Sequence, residues 1–368
     1  MNILHLYKDY HPVLGGIENH IKVLAEAQAA AGHQVTVLVC DPGRRTRTET
    51  CNGVEVIRAG RLTTAASMPL SLAQPLALIR LRPDVAHLHS PYPLGEVANW
   101  LIGRSKATVI THHSDVVRQK WLLRFYGPFL RCVLRAADQI IATSPRYIES
   151  SPWLGPVRDK CVVVPLGVDV TRFTPVRQPN AGPLELLFVG RLRYYKGLDT
   201  LLRALTHVPE ARLIVVGQGP MGETWGALSQ TLGLAGRVTF VGEVDDADLP
   251  GYYQRASLFV LPANARAEAF GTVLLEAMAT SLPCITTELG TGTSWIVQDG
   301  VTGFVVPPMD PLTLAEAIQR MQDAPLRRQM GVAALERVRE SFTRQRMIAQ
   351  VIEVYEDVLL RNRVRASK

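Results

Sequence analysis

The sequence contains no Cys-x-x-Cys pair, no P-loop motif, and no Gly-x-Gly-x-x-Gly fingerprint after its first apolar segment. P-loop and dinucleotide-binding domains therefore have no support from the usual phosphate-binding motifs. The cysteines are odd in number and widely scattered, which favours reduced thiols that serve as small core residues in a cytoplasmic protein. There are five of them: Cys40, Cys51, Cys132, Cys161 and Cys284.

Long apolar runs are also missing from the sequence. A membrane-spanning helix needs roughly 18 or more such residues, and the most apolar stretch, 65–79, is interrupted by Ser, Pro and Gln. The first residues show no basic region followed by an apolar core, so no signal peptide is expected. With 368 residues, 47% hydrophobic and 20% charged, the chain is typical of a globular protein with two domains.

The net charge of +7 is unevenly distributed along the chain. Residues 1–170 hold 19 Lys and Arg against 13 Asp and Glu, residues 171–323 hold 11 against 15, and residues 324–368 hold 10 against 5. The basic first half indicates an anionic partner such as a phospholipid surface or nucleic acid. Ordinary solvated cations are the alternative.

Apolar strand-like segments alternate with helical patterns, which predicts parallel sheets covered by helices on both faces. We expect an α/β protein with two doubly wound, Rossmann-like domains over 1–173 and 184–340. The Pro- and Gly-rich segment 174–183 is interpreted as their linker. Residues 326–363 have a helical pattern with a break near 341–343, and the final helix, 341–368, is expected to pack back toward the N-terminal domain. Strands are predicted at 2–7, 33–40, 84–89, 107–113, 139–143, 161–165, 184–190, 211–217, 237–242, 257–262, 283–287 and 303–307.

Two loops at predicted strand ends have the features of phosphate sites. Gly15 and Gly16 open a helix after the first strand, where free N–H groups and a backbone without side chains suit an anion. A plain flexible turn is the alternative. In GRLRYYKG, Arg191 and Lys196 precede a helix that starts near Leu198, and two cations beside a helix N-terminus suit a diphosphate. The alternative is a pair of surface cations.

The segment EAFGTVLLE, 268–276, places Glu268 in a loop and Glu276 on the second turn of the following helix. The two carboxylates do not stack on one helical face, which argues against a bidentate metal clamp. The N–H groups of Phe270, Gly271 and Thr272 lie between them and can hold phosphate or sugar oxygens, while carboxylates accept well from vicinal hydroxyls. Two unrelated glutamates are the alternative.

The motifs GRLRYYKG, EAFGTVLLEAMA and GVTGFVVPP, in this order, resemble the family-four retaining glycosyltransferases of the GT-B fold. The resemblance covers nearly the whole chain and implies two domains that face each other across a cleft. By this resemblance Glu268 contacts hydroxyls of the donor sugar and Glu276 contacts the nucleotide ribose. Arg191 and Lys196 would neutralise the leaving diphosphate, near a glycine loop that includes Gly16.

The resemblance also implies a catalytic histidine in the N-terminal domain that faces the donor sugar. His113 in THHSDVV matches it, with His112 as its competitor. The nucleotide base is expected over the loops that contain Gly217 and Val244. Retention of configuration without a metal or other cofactor is implied, since Arg191, Lys196 and helix dipoles would neutralise the leaving group.

Two sets of residues imitate metal-binding motifs. Asp245, Asp246 and Asp248 form DDAD just before a helix, where N-terminal capping is the favoured role. His87, His89 and the pair at 112–113 follow neighbouring strands and could bind zinc, although the strand is expected to be buried. We predict no metal site.

The segment 115–138 combines the cations Lys120, Arg124, Arg131 and Arg135 with aromatic residues, and Gly127-Pro128 is expected to split it into two helices. Such a pattern fits a helix that lies on an anionic bilayer at the cytoplasmic face of the inner membrane. Core aromatics with solvated cations are the alternative. No nucleic-acid motif is present, so nucleic acid is not an expected partner.

The loop 289–300, LGTGTSWIVQDG, departs from the Gly-Gly-x-x-Glu loop of many family members and is similar to bacterial mannosyl- and rhamnosyltransferases of surface polysaccharide assembly. The departure puts donor contacts from this loop in doubt. We expect a hexosyltransferase that uses a nucleotide sugar, GDP-linked mannose favoured over UDP-linked donors, and a glycan or lipid-linked acceptor. The alternatives are a sugar-nucleotide epimerase of the same fold and a non-catalytic carbohydrate-binding protein.

Overall fold

The computed structural model describes residues 1–13, 15–65, 68–115, 120–175 and 184–367. The strands are β1 (Asn2–Leu6), β2 (Gln34–Cys40), β3 (Arg47–Cys51), β4 (Val54–Ala59), β5 (Thr63–Ala65), β6 (Met68–Leu70), β7 (Val85–Ser90), β8 (Ala107–His112), β9 (Gln139–Ala142), β10 (Cys161–Val163), β11 (Glu185–Val189), β12 (Arg212–Val216), β13 (Val238–Gly242), β14 (Leu258–Leu261), β15 (Cys284–Thr287) and β16 (Gly303–Val306). The helices are α1 (Gly16–Ala30), α2 (Ala73–Leu78), α3 (Pro93–Ile102), α4 (Lys120–Ala136), α5 (Pro145–Ser150), α6 (Leu198–Leu205), α7 (Gly222–Thr231), α8 (Leu249–Arg255), α9 (Thr272–Ala279), α10 (Thr293–Ile296), α11 (Pro311–Arg320), α12 (Ala324–Ser341) and α13 (Arg344–Ala366).

The chain divides into two compact units whose bounds differ from the predicted domains. The first unit contains Met1–Thr143, Ser151–Val164 and Met347–Lys368, and the second contains Ser144–Ser150 and Pro165–Arg346. Residues just before 173 belong to the second unit because Val168 and Phe173 are part of its hydrophobic core. Most of the predicted linker, 176–183, lies outside the described residues.

The first unit is built on an eight-stranded sheet in the order β10-β9-β8-β7-β1-β2-β4-β3. Its strand pairs are parallel except β3 with β4. The hairpin β3–β4 was missed by the periodicity argument, although its turn carries a signal: Asn52 and Gly53 both have positive φ, as an Asn-Gly hairpin turn requires.

The second unit has a six-stranded parallel sheet in the order β13-β12-β11-β14-β15-β16. Its strands are nearly continuous apolar segments because helices cover both faces of a parallel sheet. The sequence predicted all six, and also the break between α12 and α13 at 342–343.

Two local predictions are wrong. Gly127-Pro128 does not split this part of the chain into two helices, because α4 continues through Pro128. The proline costs the helix only one backbone hydrogen bond. Gly127 has a packing role, since a Cβ there would come 2.9 Å from the Trp153 ring. Cys132 is exposed on α4 rather than a core residue. Within the described ranges, no helix combines the length and apolar character needed to cross a membrane.

Candidate active site

The carboxyl ends of β11 and β14 lie side by side at the centre of the second sheet. The strand order reverses at this pair, because β12 and β13 lie on one side of it and β15 and β16 on the other. Ligands of open parallel sheets bind where the order reverses. The loop with Arg191 and Lys196 follows β11, and the loop with Glu268 follows β14, so the topology brings the two strongest sequence motifs to one place.

Lys196 and Glu268 form an ion pair that the sequence did not predict. The Nζ atom of Lys196 lies 2.7 Å from Oε2 of Glu268, and each residue is 8% exposed. Asn264 joins the two loops, since its backbone N–H donates to the Tyr195 carbonyl at 2.9 Å and its side-chain amide donates to the Tyr194 carbonyl at 3.1 Å. Removing one member of a buried pair leaves an uncompensated charge, so the two side chains form one electrostatic unit.

The backbone is tightly packed around this pair. A Cβ on Gly190 would lie 3.3 Å from the Lys196 Nζ, and a Cβ on Gly217 would overlap the Gly190 carbonyl. Gly217 also has a φ of 122°, a conformation that favours glycine. Its N–H already donates to the Gly242 carbonyl at 2.7 Å, so Gly217 shapes the loop beneath the predicted base site without offering that N–H. Val244, the other predicted base contact, is partly buried against the core.

Glu276 lies on α9 as predicted, and its carboxylate accepts a hydrogen bond from the Tyr253 hydroxyl at 2.7 Å. Burial raises the pKa of Glu276 to about 7, although the Tyr253 hydrogen bond acts in the opposite direction. A buried carboxylate with a pKa near neutrality destabilises the fold when it is charged, unless a ligand donates hydrogen bonds to it. Such raised pKa values are typical of functional sites. Tyr253 was not identified from the sequence.

Between the two glutamates, the chain turns into a helix as predicted. Phe270 is buried, Gly271 is the N-cap of α9 with a φ of 84°, and Thr272 is the first helical residue. No side chain caps this end of α9. Its N–H groups therefore remain suited to the oxygens of a ligand. Arg191 is exposed at the end of β11, where its guanidinium can reach outward to an anion.

The unusual loop 289–300 supports the backbone of the glutamate motif. The Thr291 hydroxyl donates to the Glu268 carbonyl at 2.9 Å, and the Gly292 N–H donates to the Ala269 carbonyl at 2.8 Å. A Cβ on Gly292 would lie 2.6 Å from the Phe270 ring. Sequence reasoning missed this role because hydrogen bonds to a distant backbone leave no periodic pattern.

In the first unit, Gly15 is the N-cap of α1 and Gly16 its first residue. A Cβ on Gly16 would meet no atom within 4 Å, so packing within the unit does not require glycine there. Glu18 lies in the first turn of the same helix, and burial raises its pKa. An anion at this helix end would therefore have a carboxyl group as its neighbour.

The two competing histidines have different surroundings. His113 is 6% exposed, and its Nε2 lies 3.1 Å from Nδ1 of His89. His112 is 1% exposed, and its Nε2 lies 3.1 Å from the Asp115 carboxylate, which also accepts a hydrogen bond from Ser151. Both assignments to the donor sugar stay predictions.

The two metal-like motifs, DDAD and the histidine group, have different surroundings in the structure. Asp248 is the N-cap residue of α8, as the capping interpretation of DDAD predicts, although its side chain makes no capping hydrogen bond. Asp246 instead lies 3.6 Å from the Arg172 guanidinium. His87, His89 and His113 do come together with His5 and His20, in two overlapping groups of three. Several of their nitrogens face one another at hydrogen-bonding distance.

Comparisons with known proteins give the same family that the sequence motifs resemble. The family model described as Glycosyltransferase Family 4 matches residues 14–172, and the one described as Glycosyl transferases group 1 matches residues 170–337. A D-rhamnosyltransferase of Pseudomonas aeruginosa is 36% identical over 359 residues, which cover 93% of this chain and 92% of that protein. The chain belongs to the family-four glycosyltransferases. The predicted family is therefore confirmed.

A second relative of this glycosyltransferase is the O-antigen chain mannosyltransferase C of Escherichia coli, 35% identical over 373 residues that cover 98% of this chain and 99% of that protein. Among solved structures, an Anabaena protein in complex with UDP-glucose has a TM-score of 0.74 at 19% identity, covering 96% of this chain and 99% of that one. The predicted GT-B fold with two Rossmann-like domains is confirmed.

Glu268→Gln should bind nucleoside diphosphate more tightly while it transfers sugar more slowly. The substitution leaves Lys196 without its 2.7 Å partner, so its full charge becomes available to the diphosphate. We expect affinity for GDP or UDP to rise on the order of tenfold, which is about 1.4 kcal/mol. Turnover should fall on the order of 100-fold if Glu268 positions the donor sugar, as the family resemblance implies. Calorimetry and a nucleoside-diphosphate release assay measure the two effects.

The matched control is Glu210→Gln, which removes an exposed carboxylate just before β12, at the opposite edge of the same sheet. It should change neither quantity. Unchanged or weaker nucleotide binding by Glu268→Gln would contradict the role given to the ion pair.

Glu276→Gln should stabilise the ligand-free enzyme in a pH-dependent way. The folded-state pKa of about 7 lies above the ordinary value of 4.5 for a glutamate, so the folded protein holds an extra proton between these values and loses stability as pH rises through this window. Glutamine does not titrate, so the variant does not lose this stability as the pH rises. The melting temperature of the variant minus that of the parent should be near zero at pH 4.5 and positive at pH 8, by about 2–4 °C for each kcal/mol recovered.

The same variant should bind nucleotide more weakly at pH 8, because Gln is a poorer acceptor for ribose hydroxyls than a carboxylate. Glu316→Gln, on the exposed face of α11, is the control for both measurements. A melting difference that does not change with pH would show that Glu276 does not titrate near neutrality.

Proposed function

We propose that this glycosyltransferase moves a hexose, with a mannose-type sugar favoured, from a nucleoside-diphosphate sugar to a glycan or lipid-linked acceptor in cell-surface polysaccharide synthesis. The observation that carries the proposal is the buried ion pair at the reversal of the second sheet. In this proposal the cation of the pair would serve the diphosphate and its carboxylate the sugar hydroxyls, while the partly buried Glu276 on the helix that follows would serve the ribose.

The relatives support the choice of sugar and product. One is named as a D-rhamnosyltransferase and another as an O-antigen chain mannosyltransferase, and both align over nearly the full chain. The UDP-glucose complex of a protein with the same fold supports a nucleotide sugar as donor. We favour GDP over UDP because the loop 289–300 resembles those of mannosyl- and rhamnosyltransferases.

The reaction breaks the bond between the anomeric carbon and the diphosphate, and the departing oxygen keeps the electron pair. Lys196, Arg191 and the N–H groups at the start of α9 would stabilise the charge that develops there, where one preorganised donor typically contributes about 3–4 kcal/mol. The acceptor hydroxyl would attack on the same face and give its proton to the leaving phosphate, so configuration is retained. His113 is assigned to the donor sugar by the family resemblance.

Transfer should persist in EDTA. The protein cations in this account perform the charge neutralisation that a divalent ion would otherwise provide, so a chelator removes nothing that the reaction needs. Release of GDP from GDP-mannose, in the presence of a membrane extract as acceptor source, measures the effect. Loss of activity in EDTA that magnesium or manganese restores would contradict the metal-free mechanism and make Asp245, Asp246 and Asp248 candidate ligands.

The first unit carries a surface that suits an anionic bilayer. An open groove of about 560 Å³ between α3 and α4 is lined almost wholly by apolar side chains. Phe125, Phe129 and Leu101 in its lining are 69%, 49% and 65% exposed, so they form with the groove a contiguous apolar surface of the kind that marks interaction sites. The exposed arginines of the same α4 add positive charge beside it, at 124, 131 and 135. We propose that this face lies on the membrane that holds the acceptor.

A variant with Lys120, Arg124, Arg131 and Arg135 changed to Gln should lose binding to phosphatidylglycerol vesicles. Each cation near such a surface contributes on the order of 1 kcal/mol, and the wild-type binding should weaken with salt because exposed charges are screened within about 10 Å at 0.1 M. Co-sedimentation measures the loss. GDP affinity should stay unchanged, since the nucleotide site belongs to the second unit.

The matched control changes four exposed arginines elsewhere in the first unit, Arg44, Arg45, Arg363 and Arg365, to Gln. The net charge falls equally, but vesicle binding should fall much less. Equal losses in the two variants would show that overall charge, and not the α4 surface, attracts the membrane.

A further inference from the structure

A line of buried side chains runs from α13 to His113 inside the first unit. Strands β8, β7 and β1 are neighbours in the sheet, and the alternation of side chains along each strand puts the histidines of β1 and β7 on one face with Thr111 of β8. His5, His87 and His89 are fully buried there. His113 follows β8 directly. Helix α1 adds Gln28, and α13 adds Tyr355.

Each histidine in this line is uncharged at neutral pH. Burial lowers the pKa of His5 to about 4, and it holds the pKa values of His87, His89 and His113 well below the ordinary value. A neutral imidazole has one nitrogen that donates and one that accepts. His20, which faces His89 and His113 from α1 with ring centroids 5.8 and 5.1 Å away, has a pKa lowered to about 3 and adds no charge.

The hydrogen bonds therefore have a direction that can be followed from one end. The Gln28 side-chain N–H donates to the Tyr355 hydroxyl at 3.4 Å, so the Gln28 carbonyl accepts from Nε2 of His5 at 2.8 Å. His5 Nδ1 is then an acceptor for Nε2 of His89 at 3.0 Å. His89 Nδ1 in turn accepts from Nε2 of His113 at 3.1 Å.

The other branch agrees with this direction. The Tyr355 hydroxyl, which accepts from Gln28, can donate to Nδ1 of His87 at 2.5 Å. His87 Nε2 then donates to the Thr111 hydroxyl oxygen at 2.6 Å. With the Gln28 amide in this orientation, each of these histidines has its ring proton on Nε2, and reversing the amide would move all of these protons to Nδ1 together.

We propose that Gln28, anchored by Tyr355, is a positioning residue that fixes the tautomer of His113 through His5 and His89. In that tautomer His113 carries its proton on Nε2 and has the lone pair on Nδ1. His113 can then interact with a sugar hydroxyl as an acceptor at Nδ1 and not as a donor. This consequence rests on the proposed role of His113 at the donor sugar, whereas the tautomer itself does not.

The direct test is ¹⁵N NMR of the full-length enzyme labelled at histidine, with the His113 signals assigned by their loss in His113→Gln. We expect an unprotonated Nδ1 and a protonated Nε2 for His113. In Gln28→Met, which has similar volume but cannot hold the direction, both nitrogens should show mixed protonation. A protonated Nδ1 in the parent, or an unchanged His113 in a folded Gln28→Met, would overturn the proposal.

Kinetics give the second measurement. Residues that orient a histidine from behind contribute about 10- to 100-fold in metal sites, and we expect a loss of that order in kcat for Gln28→Met with little change in GDP affinity. Gln74→Met is the control, because it makes the same substitution at a buried glutamine of the first unit outside this network, where the amide bonds to the Tyr7 carbonyl and the Tyr92 hydroxyl. It should lower stability similarly without changing the His113 tautomer or kcat. If the tautomer shifts as expected but kcat does not change, Gln28 does fix the tautomer of His113, and the proposed role of His113 in transfer is overturned. If Gln74→Met lowers kcat as much as Gln28→Met does, a general loss of packing explains the effect and the positioning role is overturned.

Discussion

The Lys196–Glu268 ion pair is the interaction on which the candidate active site depends. It can form because β11 and β14 are neighbours in the sheet although about 70 residues separate them in the sequence. Asn264 ties the two loops together, and Thr291 holds the backbone of Glu268 from behind. A buried cation that already has a carboxylate partner is held in place before any diphosphate arrives, which is the preorganisation that charge stabilisation requires.

The remaining groups of the site are arranged around this pair at some expense to stability. Glu276 has a carboxylate whose pKa is raised to about 7 by burial, so its charge is unfavourable until a ligand donates to it. The first unit differs, because its buried residues His5, His89 and His113 stay neutral and hydrogen-bond to one another. The candidate site of the second unit thus contains charged groups, while the histidine network of the first unit contains neutral hydrogen-bonding groups.

Most of this fold could be predicted from sequence because strand–helix alternation leaves a periodic apolar pattern. The placement of Arg191, Lys196, Glu268 and Glu276 could be predicted, because they lie in the loops and the helix that follow β11 and β14, whose carboxyl ends share one edge of the sheet. Their partners could not, since Tyr253 and Thr291 contact the site through distant pairings without a local pattern. The histidines at 87 and 89 were noticed, but their connection to Gln28 and Tyr355 depends on three-dimensional packing of α1 and α13.

The most direct measurement of the central claim is a double-mutant cycle between Lys196→Met and Glu268→Gln, with GDP affinity as the readout. Groups in contact usually couple by about 0.5–3 kcal/mol, whereas independent sites add within about 0.3–0.5 kcal/mol. The account predicts that Glu268→Gln tightens GDP binding in the parent and loses most of that effect once Lys196 is gone. An equal gain in both backgrounds would contradict the claim that this ion pair sets the charge of the diphosphate site.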